Sequence, residues 1–312
     1  MIETIKQTSF HIEELSALQF GWHIDFTQLG PSKGKSAVSL IRSTNLGVCH
    51  FQFNANYDQR LRAQPGYYSF GLPDPETTGV TVHGSAANSG AIIVFPHEHE
   101  AYGASPSGFH GYGIQIRAHY FEAIAETIFQ TPLRSLVPTA GVYALTDAQF
   151  CHLRWELQKW QHLAASEQPA NESILAHRQE AMAIALLSGL SHSVIADGTQ
   201  HLKSDRSIRL VLDYVNDSPS DEITAVELCT LADCSQRWLE QSFKARFGVT
   251  PKAYVKYLRL ARLRQDLLGS SSEENQTVFD LASAYGFWHM GQLAADYRKV
   301  YGELPSATLK CG

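Results

Sequence analysis

TAVELCTLADCSQRWLEQSFKARFGVTP, running from Thr224 to Pro251, is the stretch on which the reading of this chain turns. Its opening Thr224-Ala-Val-Glu227 has the form of a capping box, in which a hydroxyl and a carboxylate each satisfy a free backbone N–H at a helix start. The short helix that follows is expected to bury Val226 alongside Leu228, Cys229 and Leu231. Asp233 stands where the chain must turn, a residue type that tolerates left-handed backbone. Ser235 can then cap a second helix with an inner stripe of Trp238, Leu239, Ser242 and Phe243, which leaves Gln236, Arg237, Glu240, Gln241 and Lys244 outside. A polar, Arg- and Gln-bearing face on the second of two helices suits major-groove reading, because Arg pairs bidentately with guanine and Gln with adenine. A small helical bundle of another function would show the same periodicity.

The pattern recurs. Leu239, Phe243, Gly248 and Pro251 return 54 residues later as Leu293, Tyr297, Gly302 and Pro305, and Leu228-Cys229 returns 53 later as Leu281-Ala282. The second copy opens with Thr277-Val-Phe-Asp280, turns at Gly286-Phe287, and runs a helix from His289 to Val300 with Met290, Leu293, Ala294 and Tyr297 inside. Its outer face, with His289, Gln292, Ala295, Asp296, Arg298 and Lys299, is poorer in base-reading side chains. Pro251 starts a helix to about Leu268, roughly 25 Å long at the usual rise per residue, enough to set two reading helices about one DNA turn apart. Two matched units joined in this way weigh far more than either alone.

The run Phe243-Lys-Ala-Arg-Phe-Gly-Val-Thr-Pro-Lys-Ala-Tyr254, with Arg259-Leu260 and Tyr285-Gly-Phe-Trp-His-Met-Gly-Gln292, resembles the DNA-binding region of the AraC/XylS family of transcription regulators over Ser207 to Leu309. The resemblance implies that Ser235–Lys244 and His289–Arg298 are recognition helices, that the partners are double-stranded promoter DNA and RNA polymerase, and that transcription is activated. It departs from the family at Gly291 and Ala295, where Ser and Arg are common, so the first unit is expected to dominate specificity. Bases are assigned to Gln236, Arg237, Gln241, Lys244, His289 and Gln292. Phosphates are assigned to Ser235, Arg246, Lys252, Lys256, Arg298 and Lys299.

Charge supports this assignment locally. The whole chain carries 25 basic and 31 acidic residues, but from Lys203 onward 14 of each balance, so the net −6 resides before it. Between Arg237 and Arg264 eight basic residues face one acid, Glu240. Such a run is either a solvated face or a phosphate-binding one; solvated faces usually mix signs.

Upstream, about Ala37 to Arg117 reads as short strands (AVSLIRS, VCHFQF, GYYSFGL, GVTVHG, GAIIVF, YGIQIR) separated by turn residues, which suggests a small barrel or sandwich. From His119 to Val194 the apolar spacing becomes helical. Leu153, Trp155, Leu157 and Trp160 form a stripe that serves as core or as a dimer seam. The expected architecture is therefore α+β: a cupin-like β-barrel with packing and dimerisation helices (1–195), a linker (196–206), and an all-α domain of two helix-turn-helix units joined by a linking helix (207–312). The cupin-like barrel is again what the family resemblance implies. A looser likeness, carried by Phe70-Gly-Leu-Pro73, Pro96-His-Glu-His-Glu100 and Trp288-His-Met-Gly-Gln292, points to ethanolamine-utilisation-type regulators.

The N-terminal domain is expected to sense a small-molecule effector, with Trp22, Phe51, Phe53, Tyr68 and Phe70 as pocket residues or, equally, as barrel core. His97 and His99 alternate on an extended segment and could share a metal, with His83 or His110 as a third ligand. That reading supports a rival, a metal-dependent enzyme domain; a further rival has the helical units binding protein. No cofactor is implied, no Gly-rich phosphate loop is present, and five scattered cysteines suit free thiols in a reducing compartment. With neither an apolar span nor a signal-like N-terminus, a cytoplasmic protein that does not enter the membrane and forms a possible homodimer is the expectation.

Overall fold

The computed structural model of the chain describes residues 2–16, 22–96, 99–165, 171–196, 201–218, 223–270 and 276–311. The first part runs β1 (Glu3–Ser9), α1 (Ile12–Ser16), β2 (Trp22–Gln28), β3 (Ser36–Arg42), β4 (Leu46–Phe53), β5 (Tyr57–Ala63), β6 (Tyr67–Pro73), β7 (Thr81–Val82), β8 (Ser85–Ala86), β9 (Ala91–Val94), β10 (Glu100–Ser105) and β11 (Phe109–Arg117). Helix α2 (Ala118–Phe129), β12 (Gly141–Ala144), α3 (Asp147–Ala165), α4 (Glu172–Leu190) and β13 (Val194–Ile195) follow. Antiparallel pairing builds two sheets, β1-β3-β4-β11-β6-β9-β12-β13 and β2-β5-β10-β7-β8.

The two-residue period of strands sorts side chains into two cores. Cys49, Phe51 and Phe53 of β4 meet Val38 and Leu40 of β3 and Ile24, Leu61 and Ala101 of the smaller sheet, so this core lies between the sheets. Leu46 and Val48 take the opposite face, where Phe70, Ile114 and Ile116 pack under α2, α3 and α4. The expected strands are present, but β1, β2, β5, β8 and β10 were not legible, and β12 interrupts the stretch 119–194 that was expected to be helical, with β13 at its end. In β5 the polar Asp58 and Gln59 are buried beside Tyr57 and Leu61, so no apolar alternation marks the strand. The α3 stripe divides: Leu153, Leu157 and Trp160 are fully buried, whereas Trp155 is 55% exposed.

The helical part comprises α5 (His201–Asp217), α6 (Ala225–Ala232), α7 (Gln236–Phe247), α8 (Pro251–Gly269), α9 (Val278–Ser283), α10 (Met290–Tyr301) and α11 (Pro305–Cys311). Helix α5 starts inside the segment expected to be linker, 196–206, of which residues 197–200 lie outside the described ones. Ile208, Val211, Leu228, Leu239, Phe243 and Tyr254 form one core. Leu260, Leu263, Ala282, Leu293 and Tyr297 form a second, and Tyr257 of α8 packs against both. Each large side chain buried in this way contributes about 1.5–3 kcal/mol relative to exposure. The first of these cores also takes in Leu29 and Ala104, which brings the first helical unit onto the smaller sheet.

Candidate nucleic-acid interface

In the first unit the Thr224 hydroxyl accepts from the Glu227 N–H while the Glu227 carboxylate accepts from the Thr224 N–H at 2.8 Å, completing the capping box that starts α6. The hydrogen bonds that the Thr224 backbone N–H and then the Thr224 hydroxyl (2.9 Å) donate to it hold the Glu227 carboxyl below the usual carboxylate range. Asp233 ends the helix at φ 49°, in the left-handed region, and Ser235 accepts from the Trp238 N–H to begin α7. Leu239, Phe243 and Phe247 turn inward. Gln236, Arg237, Gln241 and Lys244 are all exposed, and the last three, at i, i+4 and i+7, share one face. The Gln236 amide donates to Glu240 at 3.0 Å, one turn along the same helix.

Val226 was expected to be buried and is 74% exposed. The buried positions of α6 are Leu228 and Ala232, four residues apart on one face, and Val226 lies about 200° around the helix from Leu228 at 100° per residue. Thr250 caps α8, with Pro251 in its first turn, and the helix runs nineteen residues to Gly269.

The second unit repeats these devices. Thr277 and Asp280 form the capping box of α9, and the Thr277 hydroxyl and backbone hold Asp280 below its ordinary range, as in the first copy. Gly286 turns the chain with φ 74°. His289, Gln292, Arg298 and Lys299 are exposed along α10, while Leu293 and Tyr297 are buried. Asp296 accepts from Lys256 at 3.0 Å and from Gln292 at 3.2 Å. Although partial burial works the other way, these two hydrogen bonds hold its carboxyl below the carboxylate range.

Two of the expected phosphate residues stand elsewhere. Lys256 is half-buried and pairs with Asp296, fastening α8 to α10 rather than reaching outward. Arg246 is only 6% exposed, because α7 turns this position toward the N-terminal domain, where its charge acts on Asp58 of β5. Burial pushes the Asp58 carboxyl up, while the 2.6 Å hydrogen bond donated by the Tyr254 hydroxyl and the charges of Arg246 and Arg60 pull it down. Gln28 donates to the Val300 carbonyl at 3.0 Å and Arg264 pairs with Glu13 at 3.2 Å, so both units touch the N-terminal domain. Ser235, Lys252, Arg298 and Lys299 remain exposed. The Lys256–Asp296 and Gln292–Asp296 pairs escaped sequence reasoning, although the i,i+4 spacing of Gln292 and Asp296 was a usable signal.

Between the sheets lies a cavity of about 60 Å³. Trp22, Phe51 and Phe53 line it as expected, with Gln59 and Ser105 hydrogen-bonded to each other at 2.6 Å in its wall. Tyr68 and Phe70 do not. They sit at even positions of β6, where the strand period turns them to the other face, and both pack on Phe121 of α2. His97 lies outside the described residues. His99 belongs to no cluster of three metal-ligating groups among the described residues; His110 does, with His50 and Asp74.

Residues 228–310 match the helix-turn-helix domain family. The XylDLEGF operon transcriptional activator of Pseudomonas putida is 33% identical over 108 residues, which make up 35% of this chain and 33% of that protein. The chain thus spans about a third of the length of the curated relatives it first matches. XylDLEGF operon transcriptional activator 2 of the same organism is 30% identical over 133 residues, 43% of this chain and 83% of that protein. The crystal structure of the AraC-like transcriptional activator CuxR is 11% identical with a TM-score of 0.44, covering 90% of this chain and 100% of that one.

Proposed function

The chain belongs to the AraC/XylS family of transcription regulators, and on that premise we propose that it reads promoter DNA through α7 and α10 and is controlled by a small molecule held in its N-terminal domain. The observation that carries this reading is the pair of repeat-related helices, each second in its unit and each exposing polar side chains. Arg237, Gln241 and Lys244, with Gln236, reach base edges from α7; His289 and Gln292 do so from α10. Ser235, Lys252, Arg298 and Lys299 hold phosphates and set the register. The partners are double-stranded promoter DNA in the cytoplasm and RNA polymerase, with activation as the outcome, in line with relatives named transcriptional activators rather than enzymes. Among the described residues no helix is long and apolar enough to cross a membrane.

The cavity between the sheets supports control by an effector. Gln59 and Ser105 face it from β5 and β10, while Asp58, next to Gln59 on β5, turns the other way and holds Tyr254 of α8. A ligand that displaces the Gln59–Ser105 pair therefore moves the strand that anchors the DNA-binding part. About 60 Å³ is well below the 300–1,000 Å³ of ordinary ligand sites, so the effector is very small or the aromatic lining moves to admit it. Domains at 1–195 and 207–312, with the N-terminal part forming a homodimer through its helices, complete the proposal.

Selection of bound sequences from a random duplex library, with the whole chain, tests the DNA-reading part. Two conserved blocks about one helical turn apart support both units as readers, and a single block assigns the second unit to the backbone alone. Recovery of no sequence removes the reading.

A further inference from the structure

We propose that His50, Asp74 and His110 form a binding site for one divalent transition-metal ion of the zinc class, on the outer face of the larger sheet and separate from both the DNA-reading helices and the cavity. One potential ligand atom from each residue lies within 4.8 Å of the other two. His50 Nε2 stands 3.8 Å from Asp74 Oδ2, too far for a hydrogen bond. Two donors at zinc-bond lengths of 2.0–2.2 Å on a tetrahedral ion lie about 3.4 Å apart, so a small closure brings these atoms to ligating distance.

The backbone holds this arrangement. Tyr112 on β11 pairs directly with His50 on β4, which puts His110, two residues earlier, on the same face as its diagonal neighbour, with ring centroids 6.3 Å apart. Asp74 follows β6, and its N–H donates to the His110 carbonyl at 2.9 Å. The Thr77 hydroxyl closes the same turn, donating to the His110 carbonyl at 2.9 Å and accepting its N–H at 3.1 Å. Two of the three ligands are therefore fastened to each other through main chain before any ion arrives. The Tyr112 ring lies 4.6 Å from the His50 ring and limits its rotation.

Arg154 of α3 approaches the other carboxylate oxygen, Asp74 Oδ1, at 3.6 Å, leaving Oδ2 turned toward His50. It orients the carboxylate in the way outer partners of metal ligands do, while its positive charge opposes the ion and lowers affinity. The donor set selects the class of ion. Two imidazoles with a single carboxylate suit Zn²⁺, Co²⁺ or Ni²⁺, whereas Ca²⁺ and Mg²⁺ require more oxygen ligands than these residues offer. His110 is exposed, so water has access to complete the coordination.

The test uses the full-length chain, stripped with a chelator and dialysed. Zn²⁺ affinity is measured by competition with a chromophoric chelator, and Co²⁺ is added separately to read its visible absorption. One ion per chain is expected, with a rise in melting temperature on Zn²⁺ addition. His110→Gln, at an exposed position, keeps the metal-free melting temperature of the parent and weakens binding by tenfold or more. His50→Gln weakens binding likewise from the other strand, and Asp74→Asn changes the Co²⁺ spectrum. Undiminished binding in both histidine variants overturns the proposal, as does its loss in His97→Gln/His99→Gln instead, or no binding of either ion by the parent chain.

Discussion

The two helix-turn-helix units share a plan and differ in what surrounds it. Each opens with a threonine capping box, and each ends its second helix on a left-handed glycine, φ 73° at Gly248 and 79° at Gly302. Each buries a matched leucine, Leu239 or Leu293, and a matched ring, Phe243 or Tyr297. The first unit leans on the N-terminal domain through Tyr254, Arg246 and the contact with Leu29. The second keeps its buried cation largely to itself: Arg264 donates to Glu303 at 2.7 Å, Tyr297 at 3.1 Å and Thr308 at 3.3 Å, with Glu13 as its N-terminal partner. Outward, each ties one glutamine to an acid a turn later, Gln236 to Glu240 and Gln292 to Asp296, but the first also offers Arg237, Gln241 and Lys244, whereas the second has Gly291 and Ala295 on its exposed face. Caps and core positions repeat because they make the helices; the docking positions and the exposed positions proposed for base reading do not, and these distinguish the two units.

The largest effect tests the shared part. Leu239→Ala and Leu293→Ala should each cost about 2–5 kcal/mol in denaturant unfolding, since both side chains are buried. A small loss at one and a large loss at the other would break the equivalence of the two cores. Next comes base reading: Arg237→Ala should cost about 1–3 kcal/mol on the selected operator and relax one base position. Gln292→Ala should do visibly less, because its amide already has a carboxylate partner. Equal relaxation by both variants would overturn the asymmetry.

The glycine pair sharpens the difference in docking. Gly302→Ala meets open space and should lose about 1–2 kcal/mol from the left-handed backbone alone. Gly248→Ala puts a Cβ 2.9 Å from Asn56 Nδ2, so it also disturbs the residue whose Oδ1 accepts from the Ser107 N–H at 2.7 Å. Protease accessibility of the junction between the two parts should rise for Gly248→Ala and stay at the parent level for Gly302→Ala. The smallest effect is electrostatic: Lys252→Ala should weaken all duplexes alike and reduce the log–log salt slope by about 1. Lys256→Ala, removing a cation already paired with Asp296, should change that slope less.

The helical part was legible to the level of its caps. Thr224, Asp233, Ser235, Pro251 and Thr277 stand where short-range rules put them, because a cap is satisfied by backbone groups two or three residues away. The N-terminal part was legible in its apolar strands and in the helical spacing that became α2, α3 and α4, but not where polar residues are buried. Strand β5 hides buried Asp58 and Gln59 whose partners, Tyr254 and Ser105, come from distant segments. The pocket assignment was divided for the same reason: Phe51 and Phe53 reach the cavity, while Tyr68 and Phe70, equally aromatic, lie on the opposite face of their sheet.

By itself the sequence determined that two capped helical pairs recur 54 residues apart and that a basic, Gln- and Arg-bearing face belongs to the first of them. Helix starts, turns and periodic faces depend on neighbours within about one turn, and those neighbours are adjacent in the chain. Only the tertiary structure decided that Arg246 is buried near Asp58, that Lys256 holds Asp296, and that His50, Asp74 and His110 converge on one outer sheet face. Each of those pairings joins residues tens to hundreds of positions apart. Strand register and the docking of one domain on another set them, and no local pattern encodes either.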